Sequence, residues 1–176
     1  MDISKADFGT TIKFGSLKDF LEKLNIENKC VADVVNTVDE RGISLLEESI
    51  ISRKFNVSNL LLENNAKINV VSNEGCNELH YLAANINCAG AVDLAYRLVE
   101  QGVDLNLKDK RNLNSAILSL CQEVLKKRKE EGIELIVTCL NKHPNFYEVN
   151  KYGYSLKQVI EERGTKNMKE AMEVIN

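Results

Sequence analysis

The stretch Asp39-Glu40-Arg41-Gly42-Ile43-Ser44-Leu45-Leu46 returns 33 residues later as Ser72-Asn73-Glu74-Gly75-Cys76-Asn77-Glu78-Leu79. A third copy opens at Asp109-Lys110-Arg111-Asn112-Leu113-Asn114, offset by 37, and a fourth at Asn150-Lys151-Tyr152-Gly153-Tyr154-Ser155-Leu156, offset by 41. Downstream halves align too: Leu60-Leu61-Leu62-Glu63 leading to Ala66 and Asn69 matches Leu98-Val99-Glu100 leading to Gly102 and Asn106. Self-similarity at a period of a few tens of residues marks an array whose units bury their apolar faces against one another.

Each copy carries local instructions. Gly42, Gly75 and Gly153 stand where a turn between units takes positive φ, which glycine adopts at least cost. Ser44, Asn77, Asn114 and Ser155 are helix N-cap residue types just ahead of an apolar run. Asn65 and Gly102 stand where a second helix stops in the left-handed region. The offsets grow in steps of four, close to one helical turn each. Such steps predict lengthened helices around residues 85–92 and 121–133, because whole turns keep an apolar stripe facing the same neighbour.

These residues resemble the ankyrin repeat. Leu79-His80 with Ala83 matches the first half of the family pattern. Leu60-Leu61-Leu62-Glu63 with Ala66 and Asn69, and Leu98-Val99-Glu100 with Gly102, Asp104 and Asn106, match the second. The family's Thr-Pro pair is replaced at Ser44-Leu45, Asn77-Glu78, Asn114-Ser115 and Ser155-Leu156, and its histidine is kept only at His80. A Leu-rich helical repeat of another kind is the alternative. The resemblance implies an all-α, ankyrin-like solenoid of stacked antiparallel helix pairs joined by short turns. It covers units 39–71, 72–108, 109–149 and a capping unit 150–176. For His80 it implies a hydrogen bond between turns of neighbouring units.

Ser16 through Asp19 reads as a capping signal for a helix over 17–25. With a second helix over 28–38 it forms an expected N-terminal cap, 16–38. Residues 1–15 remain an arm of undetermined structure, with Thr10 to Phe14 suited to an extended segment. The last helix is expected over 167–175, with Lys166, Lys169, Glu170 and Glu173 giving the polar outer face a terminal unit needs.

Composition narrows the function classes. The net charge of −3 argues against a nucleic-acid binder. No apolar run approaches a membrane span and no leader is visible, so the expectation is a cytoplasmic protein without a membrane partner. Five cysteines (Cys30, Cys76, Cys88, Cys121, Cys139) at irregular spacings suit neither a disulfide framework nor a zinc site and read as reduced thiols. Phosphate-binding glycine loops, the zinc-protease helix motif and the serine-hydrolase elbow are missing from the sequence. The expectation is therefore no enzyme, no metal and no cofactor. His143 reads as a loop residue before Pro144, and the run Lys126 to Lys129 as a solvated helix end. Cys76, on a turn, is the one candidate for a reactive thiol.

The resemblance places partner-contacting residues at turn tips and along the exposed edge of each first helix. Those positions are Glu40, Arg41, Ile43, Glu48 and Ile51, then Asn73, Glu74, Cys76 and Asn85. The third unit adds Lys108, Lys110, Arg111, Leu113 and Gln122, and the fourth Lys151, Tyr152 and Tyr154. With Glu40, Glu47, Glu48 and Glu74 at one end and Lys108, Lys110 and Arg111 at the other, the face is expected to be acidic, then basic and aromatic. Such a face orients a charged protein partner. The expected function is protein–protein interaction by a chain monomeric when free. A small immunity protein that neutralises a cognate toxin comes first, by analogy with small ankyrin-like proteins, and a regulatory adaptor or secreted effector second.

Overall fold

The computed structural model describes residues 1–174, and its regular secondary structure is α-helical apart from isolated β-bridges at the turns. Its helices are α1 (Phe8–Phe14), α2 (Leu17–Ile26), α3 (Val31–Val34), α4 (Leu45–Ile51), α5 (Phe55–Glu63), α6 (Glu78–Ala83), α7 (Ala91–Glu100), α8 (Ala116–Lys127), α9 (Glu130–Leu140), α10 (Leu156–Arg163) and α11 (Lys166–Glu173). Sequential neighbours pack in pairs: α1 with α2, α4 with α5, α6 with α7, α8 with α9, and α10 with α11. First members touch in the order α1, α4, α6, α8, α10, and second members in the order α5, α7, α9, α11. One continuous apolar core runs between them, from Phe8 and Phe20 through Leu46, Leu79, Leu98 and Leu118 to Ile160 and Met168.

Caps set the starts of these helices. Ser44, Asn77 and Ser155 each accept from the backbone N–H three residues on, and the third residue's side chain returns the bond. Asn114, expected as the third cap, is displaced by Ser115. That turn holds one residue more: the bridge spanning Val38 to Ser44 in the first turn spans Lys108 to Ser115 here. The positive φ falls on Leu113 (56°) instead of a glycine. Second helices stop as expected at Asn65 and Gly102, and His143 does the same after α9 with φ 55°.

The extra residues divide between two solutions. In the third unit they lengthen helices, since α8 has 12 residues and α9 has 11 against 7 and 9 in α4 and α5. In the second unit they form the connection 84–90, while α6 has only 6 residues. Gly90, at φ 81°, starts α7 from the left-handed region.

The N-terminus differs most from expectation. Residues 10–14 are helical, and α2 pairs with α1, not with the single-turn α3. Asp7 caps α1 by accepting from Thr10 N–H at 2.6 Å, and Thr11 Oγ1 donates back to Asp7 O. Phe8 meets Phe20 edge-on at 5.9 Å, and Ile12 is 1% exposed. Buried Lys23 fastens the segment from below, donating to Ser4 O and pairing with Glu27 at 2.7 Å. Of the expected terminal helix, α11 covers all but its last residues, and Ile175 lies outside the described residues.

Candidate protein-binding face

Four turns of one design line an edge of the molecule. Each closes by a backbone bond: Asp39 N–H to Ile43 O, Ser72 to Cys76, Asp109 to Asn114, and Asn150 to Tyr154. The first side chain of each turn holds the rest of the loop. Asp39 accepts from Arg41 and Ile43, Ser72 from Cys76, Asp109 from Arg111, Asn112 and Asn114, and Asn150 from Tyr152 and Tyr154. Successive turns are joined by backbone rungs, Asn73 N–H to Arg41 O, Lys110 to Glu74 O, and Lys151 to Asn112 O, at 2.8–2.9 Å.

A second set of rungs ties the opposite ends of the units. Asn36 Oδ1 accepts from Lys67 N–H, Asn69 Oδ1 from Asp104 N–H, and Asn106 Oδ1 from Asn145 N–H. Asn36 sits at the register of Asn69 and Asn106, one offset earlier, a signal in the sequence that the reading of residues 28–38 as helix concealed. His80 joins units as well: its Nδ1 lies 3.3 Å from Asn77 N and 2.9 Å from Asn77 Oδ1, and its Nε2 lies 3.2 Å from Asn114 O. Burial lowers its pKa and so favours the neutral ring.

The expected contact residues separate on this frame. Glu40, Arg41, Ile51, Asn73, Glu74, Lys110, Arg111, Leu113, Lys151, Tyr152 and Tyr154 are exposed, and Cys76, Lys108 and Gln122 are half-buried. Ile43, Glu48 and Asn85 are corrections, each 7% exposed or less. Ile43 lies against the wall of the groove between α1 and the first turn. Glu48 is held by Arg41 at 3.1 Å and by Ser52. Asn85 donates to Ile50 O and accepts from Arg53, sealing the end of α4. Glu47, counted toward an acidic end, is fully buried. Alignment marks a register, and each of these residues is spent inside the fold at that register.

Charge along the row follows. At the first turn Arg41 is shared between Asp39 and Glu48, so its charge is matched internally. At the third, Lys108 pairs with Glu148 at 2.9 Å, whereas Lys110 and Lys151 reach only backbone carbonyls, Asn73 O and Arg111 O. Exposed apolar side chains that were not anticipated border the row: Val38, Val71 and Val149 each stand one residue before a turn. Their shared register was the available signal. Phe14 and Val38 line a groove of about 640 Å³ between α1 and the first turn.

The Cys76 thiol is a poor nucleophile. Burial, then the charges of Asp109 and Glu74, push it up to about 11, so it stays protonated at neutral pH. Among the described residues no helix is long and apolar enough to cross a membrane. No protein-family model matches this chain, and neither does any curated protein sequence. What fold and geometry define together is an all-helical protein with an edge of four hydrogen-bonded turns bearing exposed charged and aromatic side chains.

Proposed function

We propose that this chain is a non-catalytic protein-binding module, a degenerate ankyrin-like solenoid of stacked antiparallel helix pairs that engages its partner through the turn row and the adjoining concave face. The observation that carries the reading is the ladder of backbone rungs between turns. It fixes the spacing of Glu40, Glu74, Arg111 and Tyr152 before any partner arrives, so binding orders few additional groups. Large exposed tyrosines beside arginine are the residue types that dominate interface energies. His80, with both ring nitrogens engaged, and the protonated Cys76 serve the frame instead of chemistry.

Within this class the preferred role is an immunity protein, acting as a cytoplasmic monomer and covering the working surface of a cognate toxin without a cofactor. The test is affinity capture with tagged protein, followed by an activity assay on whatever is retained. One stoichiometric partner whose enzymatic activity falls on titration with this chain would support toxin neutralisation. Several partners with unaltered activities would indicate a regulatory adaptor or effector. Retained binding after charge reversal at Glu40, Glu74, Arg111 and Lys151 together would remove the turn row as the interface.

A further inference from the structure

We infer that the tips of the third and fourth turns bind an acidic segment of a protein partner, with Tyr152 and Tyr154 as aromatic anchors and Arg111 and Lys151 as its carboxylate donors. The inference rests on the protein-binding reading and narrows it to one end of the row and one partner chemistry. The two ends of the row are unequal. At the first turn the one cation, Arg41, is taken by Asp39 and Glu48, Glu47 and Glu48 are buried, and the exposed carboxylate is Glu40. At the third and fourth turns the cations are unanswered. Lys110, Arg111 and Lys151 make no ion pair among the described residues, and Lys110 and Lys151 bond only to carbonyl oxygens. The carboxylate within these two turns, Asp109, is buried and spent on the N–H groups of Arg111, Asn112 and Asn114.

Beside these cations lies the largest exposed aromatic surface of the row. Tyr152 is 63% exposed, Tyr154 48% and Leu113 44%. The Lys151 ammonium stands 5.7 Å from the centre of the Tyr152 ring, and the Tyr152 hydroxyl makes only a long bond, 3.4 Å, to Asn112. The pieces needed by an acidic, partly apolar segment are adjacent: ring faces for the apolar side chain, and guanidinium, ammonium and phenol donors for carboxylates. A nucleic-acid strand fits less well. It would track the row past two turns and meet Glu74 and Glu40, where a polyanion is repelled.

The experiment is an amide NMR titration of the full chain with a short Asp/Glu-rich peptide bearing one central leucine, its Lys/Arg counterpart, and a single-stranded oligothymidylate. Saturable shifts confined to residues 110–113 and 151–155 are expected for the acidic peptide alone. Arg111→Glu with Lys151→Glu should weaken it at least about tenfold, Tyr152→Ala about tenfold, and added salt should weaken it further. All three positions are solvent-facing, so an unchanged melt verifies the fold. No saturable shift at these tips, or tighter binding of the oligonucleotide, overturns the inference. A captured partner separates the two readings. If it is lost with Glu40→Lys and Glu74→Lys but kept with the Arg111/Lys151 variant, the inference falls while protein binding stands. If it is indifferent to both variants, the turn row itself is not the interface.

Discussion

Glu47→Gln should stabilise this protein at neutral pH, by an amount that depends on pH in a defined way. Glu47 is the third residue of α4 and is fully buried. Its Oε2 accepts from Ser44 N–H at 2.7 Å, while its Oε1 has no partner among the described residues. Burial, with the Glu78 carboxylate close by, pushes the Glu47 carboxyl up to about 7. Protonation removes a charge that burial and the neighbouring Glu78 carboxylate both disfavour. The folded state holds this proton to higher pH than the unfolded chain. The stabilisation is therefore complete below about pH 4.5 and is lost as pH rises to about 7. At about 1.4 kcal/mol per pH unit, a rise from 4.5 to about 7 amounts to about 3 kcal/mol. Glutamine keeps the acceptor of the capping box and carries N–H where the proton sat. Relative to the native chain, Glu47→Gln should be near neutral at pH 4.5. At pH 7.5 it should be more stable by up to about 3 kcal/mol, a rise in Tm of about 6–12 °C for a chain of this size. Urea unfolding followed by circular dichroism from pH 4.5 to 8 measures both. A variant less stable at pH 7.5, or one with the native pH slope, would refute the argument.

Three further outcomes test the frame. His80→Ala should cost about 1–3 kcal/mol at pH 7.5, because the contacts to Asn77 and the bridge to Asn114 O are lost, although Asn114 O keeps the Asp109 N–H. Since burial depresses the His80 pKa, its share of stability is present above about pH 6.5 and fades as pH falls, opposite in sign to Glu47, so the loss measured by urea unfolding should shrink toward pH 5. Asn69→Ala removes the rungs to Asp104 N–H and Gly102 O and leaves alanine at φ 60°. Hydrogen exchange at the Asp104 amide should accelerate, and Asn69→Gly should recover the backbone strain but not the protection. Deleting residues 1–15 should lower Tm by more than about 10 °C, since it uncovers Phe20 and the face of α4 beneath Phe8 and Ile12. An unchanged melt would return that segment to the status of a loose arm.

What the sequence made legible are features encoded by one residue acting locally. A glycine at positive φ, a serine or asparagine ahead of an apolar run, and a left-handed residue closing a second helix each report on a few neighbouring bonds. Gly42, Ser44, Asn65 and Gly102 therefore reveal the turn, the helix start and the helix stop without tertiary information. The misreadings share a different cause: packing decided against local preference. Thr10, Thr11 and Ile12 are β-branched and lean toward extended structure, yet α1 forms because Asp7 caps it and Ile12 and Phe8 are buried against its neighbours. The connection 84–90 departs from the helical-turn rule, and within it Asn85 seals the end of α4 and holds Arg53, contacts that the offsets do not encode.

The face divides along the same line. Which register a residue occupies was readable from the offsets, but the direction of its side chain was not. Arg41 and Glu48 look like two separate surface charges in the sequence, and in the fold they cancel. Lys151 and Arg111, 40 residues apart, look unrelated, and the rungs set them side by side. The electrostatic polarity of the row is thus a tertiary property built on a legible repeat. If the row binds as proposed, the unpaired cations with their tyrosines are its strongest basic and aromatic feature, while Glu40 and Glu74 are its exposed carboxylates, so charge reversal at each pair separates the two ends.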